Sequence, residues 1–249
     1  MDIIVCMKRV PDSAAKIRVA EDGKSIDPSG VEYIISPYDE MALERALQLK
    51  EEHGGSVTVV CLGVPEATKE IRQALAMGAD KAIHVKDTGG SRGPAGIAKV
   101  LADTIKGRPF DLLMVGRQSI DADNCAVGVM VAGVLDIPVV TLVTKLEVAD
   151  GKATVHREAE GGTEVLEIAL PAAFSAQRGL AEPRYASIKG IMKAKKKPIE
   201  EIDAPEPSGA LTLESLAPPP ERTAGKIVGE GVEAVPELVR LLRQEAKVL

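Results

Sequence analysis

The sequence predicts an α/β protein built on a Rossmann-like, doubly wound and mostly parallel sheet, extended by antiparallel hairpins and finished by a C-terminal arm that ends in a helix. Two observations carry this. Short apolar strands alternate with helical stretches through the first 140 or so residues, the pattern of right-handed βαβ crossovers. Apolar residues make up 45% of the 249, yet aromatics supply only 2% and Trp is absent, so the core must come from Val, Ile, Leu and Ala, as in strands buried on both faces by helices.

Strands are expected over 3–6, 57–62, 82–85, 112–115 and 139–142, each a β-branched or Leu-rich run. The first helix spans 38–53, with Ala42, Leu43, Ala46, Leu47 and Leu49 on one stripe and Gly54 and Gly55 as its stop. The second runs over 67–77 after Pro65 and ends at Gly78, and the third follows Pro94 with Ile97, Val100, Leu101 and Ile105. Beyond 140, alternating segments broken at Asp150-Gly151 and Gly161-Gly162 read as hairpins added to the sheet, followed by a core strand over 172–176. A nucleotide-binding domain is expected over 1–198. Residues 199–249, rich in Pro and acid at first, form an extended arm whose last helix carries Val235, Leu238, Val239, Leu241 and Leu242 on one face, suited to packing on another subunit.

Cys6, Cys61 and Cys125 are widely spaced with no CxxC pair, and His53, His84 and His156 are isolated, so neither a metal site nor a triad assembles from local spacing. No apolar run reaches the ~18–20 residues of a membrane span, and the N-terminus enters the strand-like IIVC without a signal pattern. A cytoplasmic protein without membrane insertion is expected.

Charge is unevenly spread. The stretch RYASIKGIMKAKKK over 184–197 holds six basic residues and no acid; without it the chain has 25 Lys and Arg against 37 Asp and Glu. A local field opposite in sign to the rest usually faces something outside. Tyr185, Ile188, Ile191 and Met192 interrupt the charges, the composition of a docking loop or short helix rather than of a flexible tail. A nucleic-acid patch is disfavoured by the acidic remainder and the lack of stacking aromatics.

No P-loop or GxGxxG spacing is present, and GGSRGPAGIAK over 89–99 reads as a surface loop leading into a helix. The stretch from Gly116 to Gly133 is the stronger site. It follows the strand LLMV and opens a small-residue helix, with Asp121 or Asp123 as N-cap, at the junction where open α/β sheets hold nucleotides. Backbone N–H groups of 123–127 would face a phosphate, or the Asp merely caps an ordinary helix. Pro37 and Tyr38 would wall an adenine, or simply start the first helix.

The segments VCMKRVPD, ISPYDEMALERALQLKE, ALAMGADKAIHV, DLLMVGRQSID, VHREAEGGTEVLEIALP, EPRYASIKGIMKAKKKPIE and PPPERTAGKIV occur in this order along nearly the whole chain. Together they resemble the beta subunits of electron transfer flavoproteins. The resemblance implies an electron carrier with no substrate chemistry of its own. It would pair with an alpha subunit that holds most contacts to a redox FAD, accept electrons from acyl-CoA dehydrogenases of fatty acid oxidation or related flavin enzymes, and pass them to a membrane quinone oxidoreductase. It also implies a structural AMP in this chain, surrounded by Cys6, Ser36, Pro37, Tyr38, Asp39, Leu62, Gly63, Gly116, Arg117, Gln118, Ser119, Ile120, Asp121, Ala122, Asp123, Asn124, Cys125, Ala126 and Val127. Cys125, Ala126 and Val127 stand where relatives often carry Thr, Asn or Gln.

By the same resemblance Arg184, Tyr185, Ala186, Ser187, Ile188, Lys189, Gly190, Ile191, Met192 and Lys193 form the partner-recognition loop, with Ile188 at the place of an anchoring Leu. Glu158 falls at an acidic hinge position, or is an exposed hairpin carboxylate. Two other readings stand beside this one: an electron-bifurcating beta subunit with a second FAD in place of AMP, and a stand-alone adenine-nucleotide-binding regulatory module of the stress-protein type.

Overall fold

The computed structural model describes residues 1–87, 92–207, 211–221 and 224–249. β1 (Asp2–Met7) sets the architecture, because its side chains alternate between two cores: Ile3, Val5 and Met7 enter one, Ile4 and Cys6 the other. A strand apolar on both faces must be covered on both. α1 (Pro37–His53) and α2 (Thr68–Met77) cover the first core with Leu43, Leu47, Ile71 and Leu75, while α3 (Pro94–Ile105) and α4 (Val127–Leu135) cover the second with Leu101, Ile105 and Val131.

The remaining parallel strands are β4 (Ser56–Gly63), β5 (Lys81–Lys86), β6 (Leu112–Gly116), β10 (Ala172–Ala176) and β11 (Ile199–Asp203). They join β7 (Val139–Ala149), β8 (Lys152–Ala159) and β9 (Gly162–Ala169) in a nine-stranded sheet ordered β11-β5-β4-β1-β6-β10-β7-β8-β9. Pairings from β11 across to β7 are parallel; β7–β8 and β8–β9 are antiparallel. A separate two-stranded sheet pairs β2 (Arg9–Pro11) with β3 (Tyr33–Ile35). The chain order thus reverses between β1 and β6, which opens a crevice at the carboxyl ends of those two strands.

Three expectations change. The strand expected to end at 142 runs to Ala149, because Leu142 adopts a left-handed φ of 59° and the register slips there, turning β7 out of the parallel sheet into the hairpin with β8. The arm expected from 199 begins later, since Ile199 and Ile202 pack into the cores and β11 pairs along β5. The helix expected to be capped by Asp121 or Asp123 starts instead at Val127 with Ala126 before it, because left-handed φ values of 50° at Asp123 and 51° at Cys125 interrupt any helix earlier.

The basic stretch folds in part as a short helix, α5 (Ile188–Ala194), capped at its start by the Ser187 hydroxyl accepting from the Gly190 N–H at 3.0 Å. Gly190 lies so close to α2 that a Cβ there would stand 2.4 Å from the Ala76 carbonyl oxygen. Arg72 of α2 donates to the carbonyls of Ala194 and Lys197, both at 2.7 Å, closing the end of α5. Lys197 in turn donates to the carbonyls of Leu75 and Ala79 at the end of α2, where a cation suits the helix dipole.

The chain divides into a unit over Met1–Ser215 and a second over Leu216–Leu249. Within the second, α6 (Val235–Gln244) is amphipathic, and none of its residues is buried.

Arg184 precedes α5 and is committed inward. Its Nε donates to Glu44 Oε2 at 2.8 Å and its Nη1 to Glu51 Oε1 at 2.5 Å. The Glu44 side chain is only 4% exposed, so removing its cation strands a buried carboxylate, whereas Arg184 itself is 33% exposed and partly screened. Arg184→Met is therefore expected to lower unfolding stability by about 1–3 kcal/mol in urea titrations of the purified chain. An unchanged midpoint would show that the pair contributes nothing.

Candidate functional site

The crevice between β1 and β6 deepens into a cavity of about 320 Å³. Its floor comes from the strand ends, Cys6 and Met7 of β1, Leu62 of β4, and Val115 and Gly116 of β6. Its mouth comes from Lys8 and from Arg117, Gln118 and Ser119, and its apolar side from Ile97, Leu101 and Val131. Ala122, Asn124, Cys125, Ala126, Val127 and Gly128 complete the wall where α4 begins. The first turn of α4 has no side-chain cap, so its N–H groups form a positive helix terminus beside the cavity.

Asp39, near the start of α1, holds this region together. It is 8% exposed, and its Oδ2 accepts from the Lys8 N–H at 2.9 Å while Oδ1 accepts from the Gly116 N–H at 3.0 Å. Each oxygen thus fixes the end of one strand at the switch point. Gly116 is required, because a Cβ there would lie 2.3 Å from Asp39 Oδ1. Burial raises the Asp39 carboxyl from 3.8 to about 7, against the two backbone hydrogen bonds and the Lys8 ammonium, which lower it.

Around the mouth the loop after β6 is wrapped on itself. Gln118 Nε2 donates to Asp123 Oδ1 at 2.7 Å, and the Cys125 thiol donates to Gln118 Oε1 at 3.2 Å. The left-handed residues Asp123 and Cys125 on either side of Asn124 curl the loop around the start of α4. Asp121 does not line the cavity but stands next to it, meeting Nζ of the lining Lys8 at 2.6 Å. Partial burial works against its ionisation, but the Lys8 ammonium and the Ser119 hydroxyl outweigh it and keep the carboxyl below its ordinary value.

Of the residues singled out from the sequence, Cys6, Asp39, Leu62, Gly116, Arg117, Gln118, Ser119, Ala122, Asn124, Cys125, Ala126 and Val127 line the cavity; Ser36, Pro37, Tyr38, Gly63, Ile120, Asp121 and Asp123 do not. Ser36 is buried behind the wall, its hydroxyl donating to the Gln118 carbonyl at 3.5 Å, and Pro37 and Tyr38 start α1. Lys8, Asp87 and Arg92 line the cavity without having been singled out. Lys8 had one signal, its place directly after the first strand. Arg92 comes from the stretch over 89–99 read as a surface loop leading into a helix, and Ile97 from the helix expected after Pro94; of that stretch, residues 89–91 lie outside the described residues. Cys6 and Cys61 are buried with thiols pushed upward, Cys61 to about 12, chiefly by desolvation, so they stay protonated and inert. No group of His, Cys, Asp and Glu suited to a metal occurs among the described residues.

On another face α5 presents Ile188 at 82% exposure, with Tyr185, Ile191 and Met192 also exposed. Lys189, Lys193, Lys195 and Lys196 are exposed around them, whereas Arg184 and Lys197 are drawn into the fold. Glu158 is exposed and lies in the β8–β9 hairpin, one pair from its turn, as the plainer reading expected. It sits within β8 opposite Thr163 and accepts from Nε2 of the buried Gln177 that follows β10.

Because the folded Asp39 binds its proton more tightly than the unfolded chain does, this group's contribution to stability falls as pH rises from about 4 to about 7. Asp39→Asn lacks that fall. The unfolding free energy of the variant relative to the parent is thus expected to rise from pH 4.5 to pH 8, which urea melts at each pH would measure; parallel profiles would contradict the assignment.

Residues 24–207 match the family model described as the electron transfer flavoprotein domain. Relatives that carry the name electron transfer flavoprotein subunit beta include those of Bacillus subtilis, Syntrophomonas wolfei and human. That of Bacillus subtilis is 45% identical, with the whole of both chains covered. That of Syntrophomonas wolfei is 40% identical over all of this chain and 98% of its own. The human one is 39% identical over 99% of this chain and 98% of its own. A doubly wound sheet with its cavity at the β1–β6 switch point, matched over its length by these relatives, makes this chain a member of the electron transfer flavoprotein family, of the beta-subunit kind.

Proposed function

We propose that this chain is the beta subunit of a heterodimeric electron carrier. It binds AMP in the switch-point cavity as a structural ligand and pairs with an alpha subunit that holds the FAD. Electrons come from acyl-CoA dehydrogenases or related flavin enzymes and leave to a membrane quinone oxidoreductase. The bound flavin supplies the redox chemistry. This chain supplies a platform, a nucleotide site and a docking surface.

The observation that carries this reading is the cavity. At about 320 Å³ it is at the small end of the ~300–1,000 Å³ range of ligand sites, which suits a mononucleotide better than a dinucleotide. Its residues also fit the ligand. The Arg117 Nε is buried with no hydrogen-bond partner, and the uncapped start of α4 offers N–H groups to a phosphate. The apolar side chains of Ile97, Leu101 and Val131 give an adenine a wall to lie against.

Docking rests on α5. Ile188 is an apolar knob inside a lysine rim; the rim steers acidic partners, and the small apolar area keeps release quick. Glu158, which is exposed on the β8–β9 hairpin and matches the family's acidic hinge position, is assigned the hold on the flavin-bearing domain at rest.

Co-expression with an alpha subunit, followed by denaturation and quantitation of the released nucleotides, is expected to yield one FAD and one AMP per heterodimer. Two FADs with no AMP would favour the bifurcating reading, and a colourless chain with no flavin-bearing partner would overturn the carrier assignment.

Ile188→Ala is expected to slow reduction of the heterodimer by a sub-saturating dehydrogenase about tenfold, since a buried aliphatic anchor contributes ~1.5–3 kcal/mol, with FAD and AMP content unchanged. Equal rates in stopped-flow measurements would remove Ile188 from the anchor role.

A further inference from the structure

Among the described residues three cations line the cavity and differ in how freely they can meet a ligand: Arg117, whose buried Nε has no hydrogen-bond partner, lies in the wall, and Arg92 and Lys8 stand beside it. Arg92 is committed. Its Nε donates to Asp87 Oδ2 at 2.6 Å and its Nη2 to Asp87 Oδ1 at 3.2 Å and to the Pro205 carbonyl, and the side chain is 6% exposed. Lys8 is different. Its backbone is fixed, because the N–H donates to Asp39 Oδ2, but its side chain is 39% exposed and rests on the rim with Nζ 2.6 Å from Asp121 Oδ2 and 3.5 Å from Ser119 Oγ. Asp121 is itself 30% exposed, so parting the two groups costs less than breaking a buried pair, both keeping partial access to water.

The charge balance around the site makes the consequence specific. A phosphate entering the cavity would approach two carboxylates, the buried Asp39 and the rim Asp121. Turning Lys8 from Asp121 to the phosphate brings a full positive charge to the ligand and leaves Asp121 facing solvent. A phosphate monoester carries about −1.5 to −2 near pH 7 against the single charge of a carboxylate, so at equal distance the ammonium is attracted more strongly to the ligand and the exchange favours the bound state.

We propose that Lys8 is a phosphate-binding cation of this cavity, beside Arg117, and that Asp121 is its resting partner, so that nucleotide binding exchanges a carboxylate for a phosphate on the same ammonium. The proposal rests on the nucleotide-binding reading above and adds to it a residue that distinguishes a phosphorylated ligand from its nucleoside. Asp121 is then a competitor of the ligand, although it stands in the loop that walls the site.

The test compares AMP with adenosine by equilibrium dialysis against the nucleotide-depleted full-length chain. Lys8→Met is expected to weaken AMP about tenfold or more, the scale of a lost charged hydrogen bond, while adenosine binding stays as in the parent. Lys8→Arg should restore most of the loss. Asp121→Asn should tighten AMP about threefold, the scale of an exposed ion pair, again without moving adenosine.

Adenosine affinity reports whether each variant still folds its site. A Lys8→Met variant that weakens AMP and adenosine alike, or leaves both unchanged, overturns the proposal. So does loss of the AMP preference in Arg117→Met but not in Lys8→Met, or an Asp121→Asn variant that binds AMP more weakly. A parent that binds neither ligand refutes the nucleotide reading itself, whereas a parent that binds AMP with a preference indifferent to Lys8 refutes this inference alone.

Discussion

The Asp39 carboxylate is the point on which the rest of the site depends. One oxygen holds the end of β1 and the other the start of the loop after β6, residues separated by 31 and 77 positions from Asp39 in the chain. Those strands are neighbours in the sheet but belong to opposite windings of the fold, and nothing in their own ladder determines how far their ends open. A buried carboxylate accepting two backbone N–H groups does so at the cost of desolvation, which is why its proton is held unusually tightly. The close approach that permits this is the reason for glycine at 116. The loop that walls the cavity therefore starts from a fixed point, and the left-handed turns at Asp123 and Cys125 carry it to α4.

The basic stretch shows how a charge anomaly divides between fold and function. Arg184 and Lys197, at its two ends, are intramolecular anchors. The first neutralises the buried Glu44; the second closes the end of α2. Between them α5 is pressed onto α2 at Gly190 and closed by Arg72. With both ends fixed, Ile188 and the four exposed lysines are displayed on a short rigid element rather than on a tail. Rigid presentation lowers the entropy lost on docking, which suits the docking role proposed for α5.

The second half of the sheet follows from one bend. Leu142 turns left-handed and its N–H donates to the Ser175 hydroxyl at 3.3 Å, so that β7 leaves its parallel partner β10 and continues into the hairpin with β8. That hairpin brings Glu158 to Gln177, close in the chain to Ala176, whose carbonyl accepts from the Arg117 N–H at 3.0 Å. The acidic position and the cavity loop are thus connected through the end of β10.

By itself the sequence determined the doubly wound class, the three crossover helices nearly to their ends, the hairpin turns, the family and the segment that projects Ile188. These are written in local patterns: strand and helix periodicities, glycine stops, turn pairs and runs of like charge. Only the tertiary structure decided that α4 starts at Val127, that β11 belongs to the sheet, and that Arg184 and Lys197 face inward. It alone brought Lys8 to Asp121, 113 positions away. The reason is physical. A left-handed residue within a loop, a strand added at a sheet edge or the partner of a charge is chosen by groups far along the chain, and such choices leave no periodic trace in the residues that make them.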